Sequence, residues 1–156
     1  MRGANKKRVV LFAVLTAVWC AVIWGHSLLS GEDSSVESSA VKDFLTPLFE
    51  LFVGKGNVTV HLVRKVAHFS EFFVLGLLSV SLLRSAKKDT LFYLSYALFC
   101  GVTVAVADET IQLFSPGRGP SVKDVLIDCA GLLCGIVLLR ALLALTDAVR
   151  KKKLRS

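Results

Sequence analysis

Hydrophobic residues run in four long blocks along the chain, and short polar segments separate them. Blocks of this length approach the about 20 residues that an α-helix needs to cross the hydrocarbon core of a membrane. The pattern predicts membrane-spanning helices over residues 9–27, 61–83, 91–114 and 121–145. We therefore expect an all-α membrane protein, in which a single domain of residues 1–156 forms a bundle of four transmembrane helices.

A shorter apolar segment, Val41–Val53, lies between the first two predicted spans. It is too short to cross a membrane, so it predicts a short extracellular amphipathic helix lying on the outer face. The apolar side chains at helical spacing are Phe44, Leu45, Leu48, Phe49 and Phe52. The preceding segment, Ser27–Ser39, is rich in serine and acidic residues and predicts a solvated loop.

Basic residues concentrate in three segments that lie on one side of the membrane if the chain crosses it four times. The net charge is +7, and these segments hold twelve of the nineteen lysines and arginines. Positive charge is retained in the cytoplasm during insertion, so both termini are predicted to be cytoplasmic. Basic and aromatic residues do not alternate, which argues against a nucleic-acid partner. The twelve are Arg2, Lys6, Lys7, Arg8, Arg84, Lys87, Lys88, Arg150, Lys151, Lys152, Lys153 and Arg155.

Polar and ionisable residues interrupt three of the predicted spans near the end that this topology assigns to the outer leaflet. An unpaired charge inside a span costs at least about 2.5–3.5 kcal/mol, so these groups should face inward and meet. The first span carries no charge and is expected only to pack, with His26 at its interfacial end. The residues are Arg64, Lys65, His68, Glu71, Asp108, Glu109, Gln112, Asp124 and Asp128.

The basic members of this group suggest a site for a phosphate-bearing headgroup. Arg64, Lys65 and Arg118 would bind phosphate oxygens, because guanidinium groups make bidentate contacts with them. Gln112 would be a neutral hydrogen-bonding member of the substrate site.

Two kinds of chemistry are available to the remaining groups. His68 and Glu71 are the candidate catalytic acid and base, if a reaction takes place. Acidic residues outnumber basic ones, so the carboxylates would orient the other groups or hold a divalent cation, with His68 as a further ligand. Two other roles stay open: an ion-pair network that fixes helix packing, and a path for protons or ions. The four carboxylates are Asp108, Glu109, Asp124 and Asp128.

Three motifs, taken in order along the chain, resemble the signature of the VanZ-like family. The resemblance implies a small bacterial cell-membrane protein, some of whose relatives confer resistance to the glycopeptide teicoplanin. Glycopeptides act outside the membrane, on peptidoglycan precursors. The motifs are Arg64-Lys65-x-x-His68-Phe69-x-Glu71-Phe72, Asp108-Glu109-x-x-Gln112-x-Phe114-x-Pro116-Gly117-Arg118 and Val122-Lys123-Asp124-x-x-x-Asp128-x-x-Gly131.

Residues and resemblance together predict a cell-envelope factor that influences teicoplanin susceptibility. It would bind or modify a phosphate-bearing lipid at the outer leaflet, and its partners would be membrane lipids and a lipid-linked cell-wall or teichoic-acid precursor. Whether it is an enzyme stays open. The alternative is a non-enzymatic membrane protein whose polar cluster serves helix assembly or proton and ion coupling.

Overall fold

The structure, a computed structural model, describes residues 2–88 and 90–154, except for the side chains of residues 2–5, 49, 52 and 53. Predictions that concern Arg155 and the side chains of Arg2, Phe49 and Phe52 therefore lie outside the described part. Over that part the chain forms helices and no strands. The helices are α1 (Arg2–Ser27), α2 (Gly31–Val53), α3 (Val60–Ser85), α4 (Leu91–Gln112) and α5 (Val122–Lys153).

Four of the five helices are long and apolar enough to cross a membrane. The spanning segments are Lys6–Ser27, Val60–Ser85, Leu91–Gln112 and Val122–Lys153, with mean hydropathies between 1.6 and 2.2. Many of their large apolar side chains point outward, Val10, Leu91 and Leu126 among them. The prediction of an all-α protein with four such helices is confirmed, and an even number of crossings leaves both termini on one side.

The helix α2 differs from the sequence prediction, because it begins at Gly31 rather than near Val41. Ser30 caps it by accepting a hydrogen bond from the Asp33 backbone N–H at 3.1 Å. Glu32 and Asp33 lie in its first turn, where negatively charged side chains interact favourably with the helix dipole. The prediction of a solvated loop over residues 27–39 is thus wrong, and a separate short helix over 41–53 is not confirmed.

The close packing of α3 against α5 depends on glycine. A Cβ atom on Gly131 would lie 2.2 Å from the backbone oxygen of Phe69, and one on Gly135 would lie 2.2 Å from that of Phe73. On α3, a Cβ on Gly76 would lie 2.4 Å from the backbone oxygen of Leu132. Small residues four apart allow such close approach of membrane helices. This pair is the most extensive helix contact in the bundle.

Buried polar side chains gather at one end of the bundle. This is the end where α1 and α4 finish and where α3 and α5 begin. The middle of the bundle is apolar, with Phe72, Val80 and Leu132 fully buried. The buried polar residues are Ser27, Ser34, Asp108, Glu109, Gln112, Ser115 and Asp128.

Candidate functional site

Three helices bring together four side chains of the types that bind metal ions, at the polar end of the bundle. His68 comes from α3, Asp108 and Glu109 from α4, and Asp128 from α5. One potential ligand atom from each lies within 4.8 Å of those of the other three. We call these four residues the carboxylate–histidine cluster. All three carboxylates are buried, and His68 has only 13% of its side chain exposed.

Two of the carboxylates are oriented by hydrogen-bond donors. The Ser27 hydroxyl donates to Asp108 Oδ1 at 2.6 Å. The Gln112 amide donates to Asp108 Oδ2 at 3.2 Å and to Glu109 Oε1 at 3.1 Å. The backbone N–H of Ser121 donates to Glu109 Oε2 at 2.6 Å. The orientation of these two carboxylates therefore depends on contacts from α1, α4 and the start of α5.

Asp128 is different, because it is fully buried and its carboxylate oxygens accept no hydrogen bond from any described residue. Its Oδ1 lies 3.3 Å from Nδ1 of His68, and that nitrogen also lacks a hydrogen-bond partner within the described chain. Asp108 Oδ2 lies 4.0 Å from the same nitrogen. His68 therefore lies between two buried carboxylates, at 3.3 Å from Asp128 and 4.0 Å from Asp108.

The fourth predicted cation ligand, Asp124, lies outside the carboxylate–histidine cluster. It forms an ion pair with Lys65 across α3 and α5. Each of the two side chains is about one-fifth to one-quarter exposed, at 19% and 26%. This pair joins the starts of the two helices and neutralises both charges.

Glu71 also lies apart from the cluster, and its partner comes from α1. Its Oε1 is 2.6 Å from Nδ1 of His26, and its backbone oxygen accepts a hydrogen bond from Trp19 Nε1 at 2.8 Å. The expectation that the first span serves only for packing is therefore wrong, since His26 and Ser27 both contact ionisable residues. The sequence contained one indication that α1 contributes to the site: Ser27 ends the first apolar block at the polar end of the bundle.

Arg118 fastens the turn between α4 and α5 to the other helices. Its guanidinium donates to the backbone oxygen of His26 at 2.8 Å and to the Ser34 hydroxyl at 3.2 Å. Burial, followed by the nearby charge of Arg64, lowers the pKa of Arg118. An arginine side chain nevertheless stays protonated in a protein, so Arg118 remains a cation. The turn itself is held by the Gly31 N–H, which donates to the Pro116 oxygen at 2.8 Å.

Two cavities open beside the cluster, and Arg64, His68 and Arg118 line both. The first has a volume of about 220 Å³ and lies against α2, where Ser34, Ser38 and Val41 complete its wall together with Glu71. The second has a volume of about 330 Å³ and lies on the side of the α4–α5 turn. It is completed by polar residues that include Lys65, Gln112, Ser121 and Asp124.

Comparison with known proteins gives one positive result. The family model described as VanZ/LLP1 matches residues 12–144, which is most of the chain. The chain belongs to the VanZ/LLP1 family. No match was found among curated proteins or among solved structures.

Membership of the VanZ/LLP1 family confirms the resemblance predicted from the three motifs. The matched region contains all three, and the fold brings them together at the polar end of the bundle. The VanZ/LLP1 match and the four apolar helices identify a multi-pass membrane protein.

Proposed function

We propose that this VanZ/LLP1 protein binds a phosphate-bearing lipid at the outer leaflet, such as a lipid-linked cell-wall or teichoic-acid precursor. The observation that carries the proposal is the state of Arg64. It is half-buried on α3, lines both cavities, and has no ion-pair or hydrogen-bond partner in the described chain. A half-buried cation without a partner has lost part of its hydration, and an anionic headgroup would supply the opposite charge.

Arg118 gives the proposed phosphate site a second cation. Both arginines border the same two cavities, and they are close enough for the charge of Arg64 to affect Arg118. The Arg118 guanidinium retains an unpartnered Nε within the described part of the chain. Lys65 was predicted to be the third phosphate-binding cation. It is already paired with Asp124, so its contribution to phosphate binding would be weaker than that of the two arginines.

The neighbouring α2 favours a lipid over a free phosphate as the ligand. Its Phe44 and Leu51 are 84% and 79% exposed, which is costly in water and favourable at a membrane interface. The first half of α2, through Ser34, Ser38 and Val41, forms part of the 220 Å³ cavity wall. A helix lying at the interface in this way would hold the cavity at the depth of the lipid headgroups.

The charge distribution supports an outward-facing cavity. The basic segments flank the opposite end of the bundle, and basic segments stay in the cytoplasm. In this orientation the site faces the side of the membrane on which glycopeptides act. Binding of a cell-wall precursor there would influence teicoplanin susceptibility. His68 lines both cavities and is the acid–base candidate if the bound lipid is modified; Glu71 lines the first cavity only.

A second candidate function, helix assembly alone, has one observation in its favour. The buried network of Ser27, Asp108, Gln112 and Ser115 ties the end of α1 to the end of α4. Such a network could serve only to fix packing. It does not involve Arg64, so substitution of Arg64 separates the two candidates.

The test compares polyprenyl phosphate with the matching polyprenol, which lacks the phosphate, by native mass spectrometry of the protein in detergent. We expect the phosphate to bind more tightly, and Arg64→Gln to weaken its binding by about tenfold or more, since hydrogen bonds to charged groups contribute about 1.5–3 kcal/mol. Arg150→Gln removes one positive charge at the other end of α5 and should leave binding unchanged.

Two further readouts complete this test. Thermal unfolding should show that Arg64→Gln remains folded, and cells carrying that variant should lose any teicoplanin tolerance that the parent confers. Equal binding of phosphate and alcohol by the wild-type protein would contradict the proposal. Unchanged binding by a folded Arg64→Gln variant would do the same and would favour the assembly role.

A further inference from the structure

The carboxylate–histidine cluster has the composition of a metal site rather than that of an ordinary ion-pair network. We propose that His68, Asp108, Glu109 and Asp128 together bind one divalent metal ion. This inference goes beyond lipid binding and does not depend on it. It rests on the geometry of the four side chains, on the local balance of charge and on the buried Asp128, whose oxygens accept no hydrogen bond within the described residues.

The spacing of the four groups suits a single ion. Their potential ligand atoms lie within 4.8 Å of one another. Oxygen and nitrogen ligands bind transition metals at about 2.0–2.2 Å, so ligands on opposite sides of an ion lie about 4 Å apart. The four ligand atoms are therefore already close to the separation that a single ion requires.

Asp128 is the observation that points to a ligand. A fully buried carboxylate normally accepts hydrogen bonds, yet both of its oxygens lack a donor within the described chain. Its Oδ1 lies 3.3 Å from His68 Nδ1, which also meets no hydrogen-bond geometry within the described chain. Polar atoms of both residues therefore face the same buried space, with Asp108 and Glu109 beside it.

The local charge also calls for a cation. Asp108, Glu109 and Asp128 are three buried carboxylates on facing helices, and like charges at this separation repel strongly. Of the nearby cations, Lys65 pairs with Asp124 and Arg118 donates to His26 and Ser34. Arg64 lines the two cavities and forms no ion pair with the three carboxylates in the described chain. A divalent ion would neutralise most of this charge at the point where the carboxylates converge.

The donor set indicates the class of metal. Three carboxylates with one imidazole suit Mn²⁺ or Zn²⁺, whereas Ca²⁺ takes oxygen ligands alone and Cu⁺ prefers sulfur. Outer groups that orient metal ligands are also present. The Ser27 hydroxyl and the Gln112 amide hold Asp108, and the Ser121 N–H holds Glu109.

The experiment uses the full chain, purified without a polyhistidine tag and reconstituted in lipid nanodiscs. Mn²⁺ alone is the probe, and electron paramagnetic resonance measures how much of it is bound; elemental analysis after Zn²⁺ exposure gives the stoichiometry. We expect one ion per chain. Asp128→Asn keeps the shape of the side chain and removes its charge, so it should weaken binding by at least tenfold.

The control is Glu37→Gln, which removes a carboxylate from the wall of the first cavity outside the cluster. This variant should bind metal as the wild type does. If Asp128→Asn fails to fold, His68→Gln provides the second variant and should show the same loss. Unchanged binding by a folded Asp128→Asn or His68→Gln variant, or the absence of stoichiometric Mn²⁺ and Zn²⁺ from the folded wild type, overturns the proposal.

The two proposals can fail separately. Metal binding without preference for polyprenyl phosphate over polyprenol would leave the metal site standing and remove the lipid function. Preference for the phosphate by a protein that binds no metal would do the reverse.

Discussion

Ser27 is the residue through which α1 reaches the polar end of the bundle. Its hydroxyl donates to Asp108 at 2.6 Å, and its backbone oxygen accepts from the Ser115 hydroxyl at 2.7 Å. Both partners are buried, with Asp108 only 1% exposed. Because water cannot replace a donor lost at this depth, the hydroxyl should contribute more to stability than a serine that bonds to its own helix.

Ser27→Ala should therefore lower the free energy of unfolding by about 1–2 kcal/mol. The matched control is Ser79→Ala, whose hydroxyl donates to the Leu75 oxygen one turn earlier in α3, so its loss should change stability little. Unfolding by sodium dodecyl sulfate, followed by circular dichroism, measures both. Equal effects of the two substitutions would show that the contact between Ser27 and Asp108 carries no particular stabilisation.

At the same scale, the sequence identified most of the polar residues that come together but not their pairings. His68, Asp108, Glu109 and Asp128 converge as the topology predicted. Asp124 and Glu71 instead have partners, Lys65 and His26. Helical spacing places residues on one face of one helix, whereas pairing depends on the rotation and height of its neighbours.

Among the elements, α3 and α5 form the pair on which the site depends. Gly131 and Gly135 let the two backbones approach, and this approach sets Asp128 opposite His68. The spacing Gly131-x-x-x-Gly135 is visible in the sequence and is typical of closely packed membrane helices.

Gly131→Ala should destabilise the bundle by about 1–3 kcal/mol, because the added Cβ would lie 2.2 Å from the Phe69 oxygen and the helices would have to separate. Gly25→Ala is the control, since a Cβ there would meet no atom within 4 Å. That change should be neutral or stabilise α1 by up to about 1 kcal/mol. The same detergent titration serves here, and a stable Gly131→Ala protein would argue against the close α3–α5 contact.

At the start of α2, composition alone led to the wrong prediction of a solvated loop. Serine and acidic residues are common in solvated loops, and they are equally common in the first turn of a helix. Here Ser30 caps the helix, and the Ser35 hydroxyl donates to the Gly31 oxygen at 2.6 Å. The Pro116 oxygen accepts from the Gly31 N–H, so a contact distant in sequence helps to define where α2 begins.

For the molecule as a whole, the two ends of the bundle carry different kinds of charged residue. The polar end carries the carboxylate–histidine cluster. The other end carries most of the basic residues and is braced by Arg84, which donates to both Asp147 oxygens at 2.8 and 2.9 Å. This asymmetry predicts the direction in which the bundle is inserted.

Cysteine labelling tests that direction. In a chain whose four native cysteines are alanine, Gly119→Cys should react with a membrane-impermeant maleimide added to intact cells, whereas Thr90→Cys should react only after the membrane is opened. Both positions are exposed, and Thr90 makes no capping hydrogen bond with its side chain. Reaction of Thr90→Cys in intact cells would show the opposite orientation, with the site in the cytoplasmic leaflet.

The sequence by itself determined the membrane class, the helix count in the apolar part and the end of the bundle at which polar residues gather. These follow from hydropathy and spacing, because the bilayer sets the length of each span and makes stray charges costly. The tertiary structure alone decided which groups pair, that α1 joins the site and that Asp128 is buried opposite His68. Those properties depend on distances of a few ångströms between helices, which glycine contacts and turn geometry set and which no periodicity along one helix encodes.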